Sequence, residues 1–119
     1  MTQSTIQFDP GAVVRVHITF TDGQAAKKRP VVIVTDAQYH SSRADAIVVA
    51  LSSKIAVTYH GDCDIVDWQA AGLPLPTKAK GVVETVDRAS IDLQYGTLSN
   101  DDMRRVKDSL RLILGLQDG

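Results

Sequence analysis

From Ala12 to Phe20 the chain alternates: Val14, Val16, Ile18 and Phe20 fall on one side, Arg15, His17 and Thr19 on the other. A period of two is the mark of a strand with one buried face. Thr21–Lys28 is polar, carries Asp22-Gly23 as a turn signal, and reads as a loop. Val31 to Thr35 is continuously apolar and β-branched, which predicts a central strand. A second polar loop is expected over Asp36–Asp45, then another buried strand over Ala46–Leu51 that stops at Ser52-Ser53. Ala56–Tyr59 and Asp62–Trp68 are expected to pair as strands through His60-Gly61. Gln69–Leu73 reads as a single helical turn ended by Gly72. Leu73–Lys80 reads as a loop, because Pro74 and Pro76 remove backbone donors. Strands follow over Gly81–Asp87 and, shorter, over Ile91–Leu93.

The last element is the clearest helix. Ser99 is placed as an N-cap, with Asp102 three residues on, a capping-box-like start. Asp101 and Asp102 suit the positive end of the helix dipole, and Arg111 the other end. Met103, Val106, Leu110, Ile113 and Leu114 recur at helical spacing as one apolar stripe, and Gly115 breaks the pattern. Short strands separated by polar loops, with one terminal helix, predict a mainly β fold: a small barrel with the helix packed on it. Residues 1–10 are expected to be a flexible lead-in and residues 11–117 a single domain.

Composition narrows the classes without choosing among them. A chain of 119 residues with 44% hydrophobic residues has enough apolar material for one core. The formal net charge of −1 gives no global pull toward nucleic acid, so any basic surface must be local. The single cysteine, Cys63, excludes an intrachain disulfide. No apolar run reaches membrane-spanning length, and Met1–Asp9 lacks the pattern of a signal peptide. A soluble, cytoplasmic chain with no membrane partner is expected.

The junction Lys27-Lys28-Arg29-Pro30 stands out within this frame. Proline fixes its own φ and biases the preceding residue to extended geometry, so Arg29 is held at the mouth of a rigid strand. A positioned guanidinium is what phosphate recognition uses. Lys27, Lys28, Lys54, Lys78 and Lys80 fall in the neighbouring polar stretches and would make a positive rim if those stretches converge. His17, His40 and His60 are the side chains that titrate nearest neutrality and so the natural candidates for a base, although His17 reads rather as a solvent-facing strand residue. His60, Asp62, Asp64 and Asp67 read as an acidic exposed edge rather than a metal site, since their spacing matches no ligand motif. Cys63 and Trp68 read as packing residues, with an interface the rival place for Trp68.

The order of blocks carries more. Gly-Ala-Val-Val-Arg-Val, Phe20-Thr21-Asp22-Gly23, Lys28-Arg29-Pro30-Val31-Val32-Ile33-Val34, Ile47-Val48-Val49-Ala50-Leu51-Ser52-Ser53, Asp67-Trp68 with Ala71-Gly72-Leu73, and Gly96-Thr97-Leu98-Ser99 follow one another. Together they resemble the MazF/PemK (Kid) family of type II toxin–antitoxin toxins over roughly residues 10–116. The resemblance implies an SH3-like β-barrel of the CcdB/Kid/MazF kind with a C-terminal helix packed on it. It implies a homodimer and a metal-independent endoribonuclease that cuts single-stranded RNA at short sequences without a cofactor. It also implies a cognate antitoxin whose disordered tail blocks the site. The family's arginine before the proline falls on Arg29, and its hydroxyl residue on Ser52, usually threonine there.

Cutting RNA without metal requires a base for the 2′-OH, stabilisation of the extra phosphorane charge, and a proton for the leaving 5′-oxygen. Products would be a 2′,3′-cyclic phosphate and a 5′-OH. Arg29 and Ser52 are therefore the expected catalytic pair. Lys28, Ser53, Lys54, Lys78 and Lys80 are the expected RNA contacts, and Thr21–Lys28 and Leu73–Lys80 the expected base-reading loops. Some family members carry an arginine and an aspartate in the loop before the Thr85-Val86-Asp87 strand. Here the matching stretch reads Lys78-Ala79-Lys80-Gly81-Val82, without a carboxylate, so the base and acid stay unassigned. Two rivals share the fold: a gyrase-binding toxin of the CcdB type without nuclease activity, and a degenerate SH3-like binding module.

Overall fold

A computed structural model describes residues 6–18 and 27–116. The strand end expected at Thr19 and Phe20, and the loop expected through residue 26, lie outside the described residues. Six strands, β1 (Ala12–Ile18), β2 (Lys27–Ile33), β3 (Asp45–Ser52), β4 (Cys63–Ile65), β5 (Thr77–Asp87) and β6 (Ile91–Thr97), pair antiparallel in the order β4-β5-β3-β2-β1-β6. Helix α1 (Ala37–Ser42) lies between β2 and β3, and α2 (Asn100–Ile113) ends the domain. The sheet curls into a half-barrel of the expected mainly β, SH3-like class, with α2 as its C-terminal helix. Among the described residues no helix is long and apolar enough to cross a membrane.

The sheet is buried on both faces. One cluster gathers Val13, Val32, Val49, Leu51, Ile65, Ala71 and Leu73 with Val106 of α2. The other gathers Val14, Val16, Val31, Ile33, Ala46 and Val48, with Ile6 and Phe8 packed against it. Strands covered on both sides read as continuous apolar runs, which is why Val31–Ile33 and Ala46–Leu51 were so legible. Ile6 and Phe8, within the stretch expected as a lead-in, pack against this second cluster.

Several boundaries differ from expectation. β2 starts at Lys27, so Lys27–Pro30 is strand, with Arg29 opposite Val16 and Pro30 opposite Arg15 on β1. The β3 ladder reaches only Val31–Ile33, which leaves this stretch open on its other side. A proline fits such a half-edge. The polar stretch after β2 contains α1, because the Asp36 carboxylate accepts the Tyr39 N–H at 3.0 Å and caps it. Ala56–Tyr59 is not a strand, although Val57 and Tyr59 alternate correctly. The Ile55 and Val57 carbonyls instead accept from the Lys78 ammonium at 3.4 and 3.2 Å. β4 shrinks to three residues and pairs with β5.

The predicted single turn before Leu73 is present. Leu73 N–H donates to Trp68 O and Gly72 N–H to Gln69 O, both at 3.0 Å, the pair of bonds that closes a helical turn at a left-handed glycine. Gly72 has φ +82° and lies so near β6 that a Cβ would sit 2.1 Å from Tyr95 O. A Cβ on Gly96 would likewise meet Ala71 O at 2.6 Å. The turn after β4 thus approaches β6 backbone to backbone, and two missing Cβ atoms bring opposite ends of the sheet together without a ladder.

Candidate active site

A cavity of about 550 Å³ opens where β2, β3 and β5 emerge from the core. Arg29 and Pro30 of β2, Ala50 and Ser52 of β3, and Lys80, Val82 and Glu84 of β5 line it, with Leu73, Pro74, Leu75 and Tyr95 from the opposite side. The expected pair Arg29 and Ser52 therefore shares one cavity. Among the described residues five cations line it, Lys27, Lys28, Arg29, Lys54 and Lys80, against a single carboxylate, Glu84. A chain of net charge −1 so concentrates positive charge at one opening, which is the electrostatic footprint of a polyanion site.

Ser52 Oγ accepts the Lys54 N–H at 3.1 Å, a local turn bond that fixes the hydroxyl and leaves its proton for donation. Ser53 and Lys54 also line the cavity. Lys78 does not, and its expected RNA contact is corrected. It is 1% exposed, and its ammonium is bound by Ile55 O, Val57 O and Thr58 Oγ1. Facing the interior, it pins the segment after β3 rather than offering charge to a ligand. Lys78 and Lys80 both lie in β5, not in a loop.

A bulge in β5 sets the aim of Lys80. Val49 pairs with Val83 but Leu51 pairs with Ala79, so the stretch around Gly81 has no one-to-one partner on β3. Bulges re-aim side chains; Lys80 and Val82 of this one line the cavity, together with Glu84 from the regular ladder beyond it. Asp62 holds it in place. Its side chain is 2% exposed and accepts Gly81 N–H and Tyr59 N–H, each at 2.8 Å, with Lys80 Nζ at 3.4 Å. Lys80 also lies 5.2 Å above the Tyr59 ring. Asp62 is thereby turned inward, away from the exposed acidic edge expected for it. Among the described residues no group of three or more His, Cys, Asp or Glu side chains is arranged to hold a metal.

Burial alone would raise the Asp62 carboxyl. The Tyr59 and Gly81 N–H groups and the Lys80 ammonium outweigh it and hold it below the ordinary carboxylate range. A carboxyl depressed in the folded state contributes stability that is present above its unfolded value, roughly 3.9, and lost as pH falls through the lower folded value. Thermal melts of the wild type are therefore expected to lose stability on acidification below about pH 4. Asp62→Asn should be less stable at neutral pH and lose less over that window. Equal acid sensitivity of the two proteins would contradict this role.

A second cluster adjoins the cavity through Lys28. Asp92 accepts Arg15 Nε and Nη2, both at 3.0 Å, and lies 2.9 Å from His17 Nε2 and 3.7 Å from Lys28 Nζ. The Arg15 hydrogen bonds first, and His17 second, hold the Asp92 carboxyl well below the usual range. His17 is thus tied to a carboxylate rather than only facing solvent. His40 is the buried residue of α1, bound to Thr35 Oγ1 at 2.7 Å, and is not among the cavity residues.

Sequence reasoning missed Glu84 and Tyr95. The signal for Glu84 was its spacing of four from Lys80 and two from Val82, which puts the three on one strand face.

With this geometry in place, comparison with known proteins defines the class. The family model described as PemK-like, MazF-like toxin of type II toxin–antitoxin system matches residues 9–114, and the chain belongs to that family. No curated protein matches the chain. Solved structures share the fold. An endoribonuclease in complex with its cognate antitoxin, from a mycobacterial species, is 20% identical with a TM-score of 0.72, over 93% of this chain and 98% of its own. Another mycobacterial endoribonuclease is 18% identical with a TM-score of 0.71, over 99% and 100%. A MazE–MazF complex from Deinococcus radiodurans is 19% identical with a TM-score of 0.69, over 94% and 98%.

Proposed function

We propose that this toxin is a metal-independent endoribonuclease, cleaving single-stranded RNA to leave 2′,3′-cyclic phosphate and 5′-OH ends. The observation that carries the reading is the convergence of Arg29 and Ser52 in one cavity rimmed by cations. Arg29 stabilises charge developing on the non-bridging phosphate oxygens, and Ser52 donates its proton to the same group. Lys28, Ser53, Lys54 and Lys80 grip the flanking backbone. Tyr95 and the Leu73–Leu75 wall offer apolar surface to an unstacked base.

The protein acts in the cytoplasm as a homodimer and is silenced by a cognate antitoxin, whose disordered tail covers the cavity. In support, two of the similar structures above are complexes with an antitoxin or MazE partner. The test is incubation of the purified chain with a long single-stranded RNA in EDTA. Discrete fragments are expected. Intact RNA together with gyrase-dependent DNA breaks in cells would replace this reading with that of a gyrase poison.

A further inference from the structure

We propose that Glu84 is the general base of the reaction, taking the proton from the attacking 2′-OH; this rests on the ribonuclease reading above. The cavity's five cations carry donors only, with no acceptor for a proton. Among the described lining residues Glu84 is the sole carboxylate and there is no histidine. It is half-buried, and no ion pair engages it among the described residues. A carboxylate repels the phosphates that the surrounding cations attract, so its presence works against simple gripping of RNA. Among the described lining residues no other carboxylate or imidazole offers to accept a proton.

Its position suits the task. Glu84 is opposite Val48 in the β3–β5 ladder. Val48, Ala50 and Ser52 follow at a period of two along one face, so Glu84 and Ser52 flank Ala50 from either end. Ala50, the small residue between them, also lines the cavity. Among the described residues, the charged groups that share the cavity lining with Glu84 are Lys27, Lys28 and Arg29 from β2, Lys54 beyond β3, and Lys80 of its own strand, which is paired with Asp62.

The step balances without a further reagent. The 2′-O–H proton passes to the Glu84 carboxylate, and the freed oxygen pair forms the bond to phosphorus. The P–O5′ bond breaks, and the 5′-oxygen leaves with a proton from water. Glu84 then returns its proton to solvent.

The test compares wild type, Glu84→Gln and Glu84→Asp on one single-stranded RNA in EDTA across pH. Glu84→Gln is expected to bind RNA at least as tightly but cleave about 100-fold more slowly or worse. The wild-type rate is expected to fall at low pH, and that fall should vanish from the residual activity of Glu84→Gln. Glu84→Asp keeps the charge but withdraws it by one methylene, and a loss of about 10-fold or more is expected. It also keeps the claim testable should the amide variant fold poorly. Wild-type rates and an unchanged pH profile in Glu84→Gln, while wild type cuts, would overturn the role of Glu84 alone. Intact RNA with the wild type would overturn the ribonuclease reading and this inference together.

Discussion

Arg29→Ala is expected to slow RNA cleavage by about 10²–10³-fold or more, equivalent to roughly 3–4 kcal/mol of transition-state stabilisation. Removing one preorganised donor to a developing oxyanion typically costs this much. The arginine is placed by the sheet rather than by a loop. It is paired with Val16 on β1, precedes Pro30, and lines the cavity from a strand open on its β3 side. Because its side chain is exposed, the fold should be nearly unaffected. Arg29→Lys should recover little, since one ammonium replaces a planar fork. The measurement is single-turnover cleavage alongside a thermal melt. A folded Arg29→Ala protein that cuts at the wild-type rate would remove Arg29 from the mechanism.

Asp102→Ala is expected to give the largest loss of stability, about 3 kcal/mol. The carboxylate is fully buried and accepts Val66 N–H at 2.9 Å and Asp67 N–H at 2.8 Å, with Arg105 on the same oxygen as Val66. Its removal strands two backbone donors where the turn after β4 begins. That turn is the one whose Gly72 rests against β6, so the whole closure of the half-barrel feels the change. A fall in melting temperature of roughly 10–15 °C follows for a domain of this size. Asp102→Asn, which keeps one acceptor, should lose less. Since Asp102 does not line the cavity, the folded fraction of either variant should retain its cleavage chemistry. A loss under about 1 kcal/mol in Asp102→Ala would show that water satisfies both N–H groups.

What the sequence made legible, and what it hid, follows from which partners are local. Val31–Ile33 and Ala46–Leu51 were plain because strands buried on both faces leave no polar interruption. The start of α2 was plain because Ser99 Oγ accepts the Asp102 N–H at 3.2 Å, only three residues away. The Asp102 side chain was misread as half of that cap, because its true partners lie 35 and 36 residues back. Lys78 looked like a rim cation for the same reason, its acceptors being carbonyls 21 and 23 residues earlier. Glu84 was hidden because β5 begins at Thr77, ahead of the strand expected from Gly81, so Lys80, Val82 and Glu84 share one strand face at the cavity. A loop through Lys78–Lys80 carries no assignment of side-chain facing, whereas a strand does. In the fold, strand periodicity carries the carboxylate in from four residues beyond Lys80.

The central claim is that this cavity turns the RNA's own 2′-OH on its phosphate without metal. The chemistry of the cut ends tests it most directly. Fragments produced by the wild type in EDTA should carry 5′-OH and 2′,3′-cyclic phosphate termini. Fragments bearing 5′-phosphates, or cleavage that appears only when a divalent ion is restored, would contradict it.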